Sequence, residues 1–260
     1  MNSLKALFIG NSFSEDTVTL APYISKALGI ENIFLANLYI GGCSIRMHHE
    51  HITEDSPLYT YRINEGEEWI STPEYKISDA IKSQNWDYII VQHGTNDKSR
   101  YTSLESYDML TPLVKKIKEI ATPETKIGFN LTWMGESTRQ HHEIISYDGD
   151  IGAMRSKLEE VTEEVICKNP LIDLLIPTGT AIENARTSKI GLLTRDCYHL
   201  SMDKGRYIAA LTFIAKVSGK CIDNISWAPA KVDAYAKAVA IESAKNAIAS
   251  PLKITRSNLI

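Results

Sequence analysis

The sequence predicts an α/β domain, a five-stranded parallel sheet with helices on both faces. Short apolar runs alternate with stretches of helical periodicity from one end of the chain to the other. Glycine or proline punctuates most of the runs, as expected where a strand gives way to a turn. Length agrees: a single domain of 260 residues buries roughly three quarters of the surface that its unfolded chain exposes, so neither disulfide nor metal is needed to hold a core.

In order, Leu4–Ile9 reads as a first strand stopped by Gly10, and Thr17–Leu28 as a helix with Leu20, Ile24 and Leu28 on one face. Asn32–Ile40 is the second strand, closed by Gly41–Gly42, and Asp87–Gln92 the third, followed by His93–Gly94. Lys126–Thr132 and Leu171–Ile176 are the fourth and fifth, the last stopped by Pro177. Helical spacing fills Ile77–Gln84, Leu104–Ile120, Gly152–Lys168, Thr178–Arg186, Lys204–Ser218 and Val232–Ala249. The pattern is doubly wound and flavodoxin-like, an arrangement that binds ligands at the carboxyl ends of its strands. No repeat or low-complexity linker interrupts it, so residues 1–260 are expected to form one domain. Met47–Pro73 breaks the rhythm, with His48, His49 and His51 followed by Tyr59–Thr60–Tyr61. Its second half reads as a hairpin pairing Tyr59–Ile63 with Glu67–Ile70, a small insertion placed as a rim over the strand ends.

The formal net charge is −4 and the longest basic runs are pairs such as Lys115–Lys116, which argues against a nucleic-acid partner. No apolar stretch reaches 18 residues, so no membrane span is expected. The start lacks the pattern of a secretory leader, which makes the cytoplasm the default location. Cys43, Cys167, Cys197 and Cys221 are scattered, without the spacing of a disulfide framework or zinc site. His48, His49 and His51 likewise fit no common zinc spacing and read as a polar loop, and His141–His142 as surface.

Four segments at predicted strand ends or turns carry chemistry. Gly10–Asn11–Ser12–Phe13–Ser14 places a serine between a strand and a helix; alone, Ser12 or Ser14 would be read as a helix cap. Gly41–Gly42–Cys43–Ser44 lets a backbone N–H approach a ligand closely, though alone it would be a turn. In Gly94–Thr95–Asn96–Asp97 an asparagine could present its amide to an oxyanion, or simply cap a turn. Asp196–Cys197–Tyr198–His199 sets a carboxylate and an imidazole three residues apart, where one could hold the other's tautomer. Each is weak by itself, and together in this order they form a strong signal.

These segments resemble the blocks of the SGNH (GDSL-like) hydrolase family, over a stretch from Gly10 to about Gly205. The resemblance implies that Ser12 is the nucleophile, His199 its general base and Asp196 the residue that orients His199. It implies an oxyanion hole from the Ser12 and Gly42 N–H groups and the Asn96 amide, with Gly41 as the fallback donor. Asn11 departs from the family, whose first block usually carries Asp; being neutral, it implies rearranged local hydrogen bonding around an intact nucleophile. The expected activity is removal of a short acyl group, acetyl foremost, from a carbohydrate, without cofactor or metal. His48, Tyr59 and His93 are the candidate substrate contacts, and Tyr59, Tyr61 and Trp69 form either a sugar platform or a core beneath the hairpin. A thioesterase or lysophospholipase is the competing enzyme reading, although no Leu/Phe-rich lid is evident. A silent carbohydrate-binding domain is the non-enzymatic one, but it has no need for Ser12, Asn96, Asp196 and His199 together.

Overall fold

The computed structural model describes residues 3–64, 68–93, 102–135 and 150–259. The chain forms two compact units, the first made of Met1–Glu15, Ile30–Asn130 and Glu164–Leu175, the second of Asp16–Gly29, Leu131–Glu163 and Ile176–Ile260.

The sheet is built from β1 (Ser3–Gly10), β2 (Asn32–Tyr39), β3 (Tyr59–Asn64), β4 (Trp69–Tyr75), β5 (Tyr88–Gln92), β6 (Lys126–Asn130) and β7 (Leu174–Ile176). Its order is β4-β3-β2-β1-β5-β6-β7. β1 runs parallel to β2 and β5, and β5 parallel to β6. Paired on both sides, β1 buries Leu4 and the run Ala6–Ile9 completely, which is why it reads as a continuous apolar strand.

The expected five-stranded parallel sheet is corrected to a mixed sheet of seven. The hairpin, instead of standing over the strand ends, adds β3 antiparallel to β2 and β4 antiparallel to β3. Physically, β2 would otherwise end the sheet with a row of unpaired N–H and C=O groups, and β3 satisfies them. β4 then forms the edge. Its ladder steps from Tyr75 to Thr72 while β3 steps only from Tyr59 to Tyr61, and Pro73 and Glu74 (φ 55°) absorb the extra residue. A proline and a bulge on an edge strand discourage pairing with another chain.

Also in the first unit, α3 (Ile45–Glu54), α4 (Ile77–Lys82) and α5 (Leu110–Ile120) pack against one another. α3 occupies the stretch read as a polar histidine loop. Ser44 caps it by accepting from Met47 N–H at 3.3 Å, and Ile45, His48 and Ile52 form its buried stripe.

α1 (Ser12–Val18) begins in the first unit and ends in the second. The single helix expected over Thr17–Leu28 is divided: α1 ends at Val18 and α2 spans Ala21–Ala27, with Pro22 in the new first turn, where its missing N–H costs nothing. The second unit continues with α6 (Ile151–Thr162), followed by a π-helical turn at Glu163–Cys167 that returns the chain to the first unit. α7 (Thr178–Arg186), α8 (Lys204–Ser218) and α9 (Ala234–Ala249) pack on one another, and α2 packs on α8. α8 is buried almost all round, with Tyr207 through Phe213 at or near zero exposure.

Candidate active site

β1 delivers the chain into the first block. Its last residue, Gly10, is held close: a Cβ there would lie 2.6 Å from Ser14 Oγ and 3.2 Å from Gln92 Cδ. Two serines follow in different environments. Ser14 is fully buried and its hydroxyl donates to the Asn11 carbonyl at 2.6 Å, so it is part of the framework. Ser12, the first residue of α1, is half-exposed. Of the two residues, Ser12 is the one that keeps exposed surface.

The second block is a tight turn beside the first. Cys43 N–H donates to Ile40 C=O at 3.3 Å, with Gly42 in the third position at φ 66°. A turn of this kind needs a positive φ there, which glycine adopts without steric cost. Gly41 carries no such requirement, since a Cβ on it would meet only Tyr39 OH, at 3.6 Å. Ile40 N–H donates to Gly10 C=O at 3.2 Å, and Asn11 Nδ2 to Cys43 C=O at 3.0 Å, so the two blocks are hydrogen-bonded to each other.

The fourth block lies in the second unit, on a narrow loop. Thr194 and Leu200 form an antiparallel bridge, Arg195 N–H donates to His199 C=O at 2.8 Å, and Ser201 N–H to Leu193 C=O at 2.7 Å. At the tip Asp196 Oδ1 accepts from Tyr198 N–H at 3.1 Å and His199 N–H at 2.8 Å, an Asx-turn that fixes the carboxylate. Its other oxygen, Oδ2, lies 2.6 Å from His199 Nδ1. A carboxylate only accepts, so Nδ1 carries the proton and the neutral ring offers Nε2 as a base. Burial pushes the Asp196 carboxyl up, but the bonds from His199 N–H, the His199 ring and Tyr198 N–H outweigh it and hold it below the usual carboxylate value. The carboxylate therefore stays charged opposite the imidazole at neutral pH. Cys197 takes φ 78°, uncommon for a residue with a side chain, and Trp133 Nε1 donates to Tyr198 C=O at 2.6 Å, bracing the tip. Close packing against α8 continues the brace, since a Cβ on Gly205 would run into the Leu193 carbonyl and lie 2.9 Å from Leu200 Cβ.

Sequence reasoning missed Asp16. It has no exposed surface and accepts from Arg195 Nη1 at 3.0 Å, Arg206 Nε at 2.8 Å, Arg206 Nη2 at 2.7 Å and Leu200 N–H at 2.7 Å. It sits one turn after Ser12 on α1 and binds both ends of the histidine loop's frame. The one available signal was an acidic residue beside the serine block together with Arg195 and Arg206 flanking the Asp-x-x-His block.

The candidate substrate contacts are core residues: His48 is fully buried, Tyr59 is 1% exposed and His93 4%. Tyr59 OH lies 2.7 Å from His48 Nδ1 and 3.1 Å from His51 Nδ1. Tyr61 is buried and stacks on Tyr75 at 4.4 Å, so Tyr59 and Tyr61 form the core beneath the hairpin. Cys43 is buried, with its thiol pushed up to about 12 by desolvation, so it is held as the thiol at neutral pH. Asn96 and its neighbours in the third block lie outside the described residues, as do His141 and His142.

No curated protein matches the chain. A DUF4886 family protein from Bacteroides uniformis is 33% identical, with 98% of each chain covered and a TM-score of 0.91. The acetyl xylan esterase AlAXEase is 17% identical over 82% of this chain and 100% of its own, with a TM-score of 0.46. The C-terminal catalytic domain of peptidoglycan O-acetyltransferase A from Streptococcus pneumoniae is 14% identical over 85% and 97%, with a TM-score of 0.44. Residues 5–247 match the family model itself, and the chain belongs to the DUF4886 family, a domain of unknown function.

Proposed function

We propose that this protein is a serine ester hydrolase that removes a short acyl group, acetyl foremost, from a carbohydrate, with Ser12, His199 and Asp196 as its triad. The observation that carries the reading is the Asp196–His199 pair. A carboxylate fixed by two backbone N–H groups and bonded at 2.6 Å to Nδ1 leaves an imidazole whose other nitrogen can accept a proton. Ser12, a partly exposed residue at the start of α1 and two positions before the fully buried Ser14, supplies the matching nucleophile.

In this mechanism Ser12 Oγ attacks the ester carbonyl while His199 Nε2 takes its proton. The oxyanion is held by the Ser12 and Gly42 N–H groups and the Asn96 amide, each expected to contribute on the order of 10²–10³ in turnover. The C–O bond to the alcohol breaks as His199 returns the proton to it, and water then hydrolyses the acyl-enzyme by the same route. Acetyl and carbohydrate come from the resemblance of the Gly-Asn-Ser block to carbohydrate-esterase members of the SGNH family.

The test is hydrolysis of p-nitrophenyl acetate and p-nitrophenyl decanoate by the wild type beside Ser12→Ala and His199→Ala. Acetate turnover that exceeds decanoate turnover and falls at least a thousandfold in both variants is expected. Equal rates in wild type and variants would contradict the assignment, and a preference for decanoate would move the substrate to the long-chain class.

A further inference from the structure

Asn11 is 1% exposed, and backbone groups pin its amide at both ends. Oδ1 accepts from Phe13 N–H at 2.9 Å, and Nδ2 donates to the Cys43 carbonyl at 3.0 Å. A backbone N–H can only donate and a backbone C=O can only accept, so the orientation of this amide is determined. Its polarity passes on. Gln92 Nε2 donates to Asn11 Oδ1 at 2.8 Å, and Gln92 Oε1 accepts from Asn130 Nδ2 at 3.1 Å. Gln92 and Asn130 are fully buried. The result is a directed chain, Asn130 to Gln92 to Asn11 to Cys43, that crosses the carboxyl ends of β6, β5 and β1 and reaches the turn after β2, in the order of the sheet.

We infer that Asn11 is a positioning residue, whose amide sets the Gly42–Cys43 turn against the Ser12 backbone and must be an amide because it accepts and donates at once. The inference rests on the reading of Ser12 as nucleophile and Gly42 as oxyanion donor. An ionised carboxylate here would accept from Phe13 and Gln92 but would turn an oxygen toward the Cys43 carbonyl at about the same 3.0 Å. It would also be buried among neutral partners. Among the described residues, titratable groups on the adjoining segments include Glu15, paired to Arg62 at 2.7 Å; Asp16, bound by Arg195 and Arg206; Cys43 and His48, both held neutral by burial; and His93, next to Gln92 in sequence.

A protonated acid, in contrast, imitates the amide: its carbonyl oxygen accepts and its O–H donates to Cys43. Asn11→Asp therefore makes the oxyanion turn proton-dependent. The experiment measures kcat/KM on p-nitrophenyl acetate for wild type, Asn11→Asp and Ser12→Ala across pH 5 to 9, together with melting temperatures of wild type and Asn11→Asp. The ratio of Asn11→Asp to wild type cancels ionisations common to both. It is expected to be near unity at the acid end and to fall about tenfold per pH unit above the carboxyl's pKa, which burial raises above the ordinary ~3.9. The melting temperature of the variant is expected to drop relative to wild type over a lower window, from the unfolded carboxyl's ~3.9 up to its raised folded pKa, and to level off above it, because a carboxyl raised in the folded state loses its contribution between those two values.

A flat activity ratio, with Ser12-dependent turnover intact, overturns the positioning role whether or not stability titrates. Wild-type turnover that survives Ser12→Ala, or no turnover in either protein, fails the nucleophile assignment and the positioning role with it. Should Asn11→Asp not fold, Gln92→Glu places the same charge one link along the chain and must show the same acid-restored ratio; a flat ratio there overturns the proposal equally.

Discussion

Asp16 anchors a buried ion cluster with Arg195 and Arg206, and Asp196 is bonded to the His199 ring. Asp196 was legible because its partner is three residues away and the Asp-x-x-His spacing is itself the signal. Asp16 was not, because its arginine partners are 179 and 190 residues away, and nothing local separates it from a solvated residue on a surface helix. Its chemistry is that of a buried ion cluster: removing the carboxylate strands Arg206, whose side chain is only 7% exposed. Breaking a buried pair from one side costs about 3–5 kcal/mol, far more than a surface pair is worth. Asp16→Ala is therefore expected to lower unfolding stability in urea by about that amount, with Asp16→Asn, which keeps one acceptor oxygen, costing less. A loss under ~1 kcal/mol for Asp16→Ala would show that the cluster is not a framework element.

The strands and helices that the sequence displays clearly are those with one dominant period. α7 and α8 match their predicted bounds, and all seven strands were expected, five from uninterrupted apolar runs and two as a hairpin. α3 was hidden by His48, which occupies an apolar position of the helix stripe between Ile45 and Ile52. The hairpin was expected, but its place in the sheet was not, since the edge it completes belongs to a strand some twenty residues earlier. The cost of packing α3 through a histidine appears in acid. Burial lowers the His48 pKa to about 3, with the nearby His51 adding to the shift, whereas the unfolded chain takes up the proton near 6.5. His51 is lowered in the same direction by its partial burial, against Glu50 and Glu54. The stability of this region is thus complete above about pH 6.5 and is lost as pH falls toward 3, by at most about 1.4 kcal/mol per unit for His48. Urea midpoints of wild type should fall between pH 7 and 5, and His48→Gln should flatten that decline to the part left by His51. An identical decline in both proteins would place the acid sensitivity elsewhere.

Over the whole molecule, the α/β class and the position of three of the four blocks at element boundaries were readable from one chain. The chain passes between its two compact units within α1, between Gly29 and Ile30, at the end of β6, between Glu163 and Glu164 and within β7, and no linker or composition shift marks these crossings. The serine block and the glycine turn belong to the first unit, while the aspartate–histidine loop belongs to the second. The proposed mechanism requires Ser12 to be a nucleophile served by His199. It is tested most directly by incubating the intact protein with an alkyl fluorophosphonate and locating the adduct by peptide mass spectrometry. In that reaction Ser12 Oγ would form the bond to phosphorus as fluoride leaves and His199 takes the proton. A single adduct on Ser12, lost in His199→Ala, is the predicted result; no adduct, or one on any other residue, would contradict it.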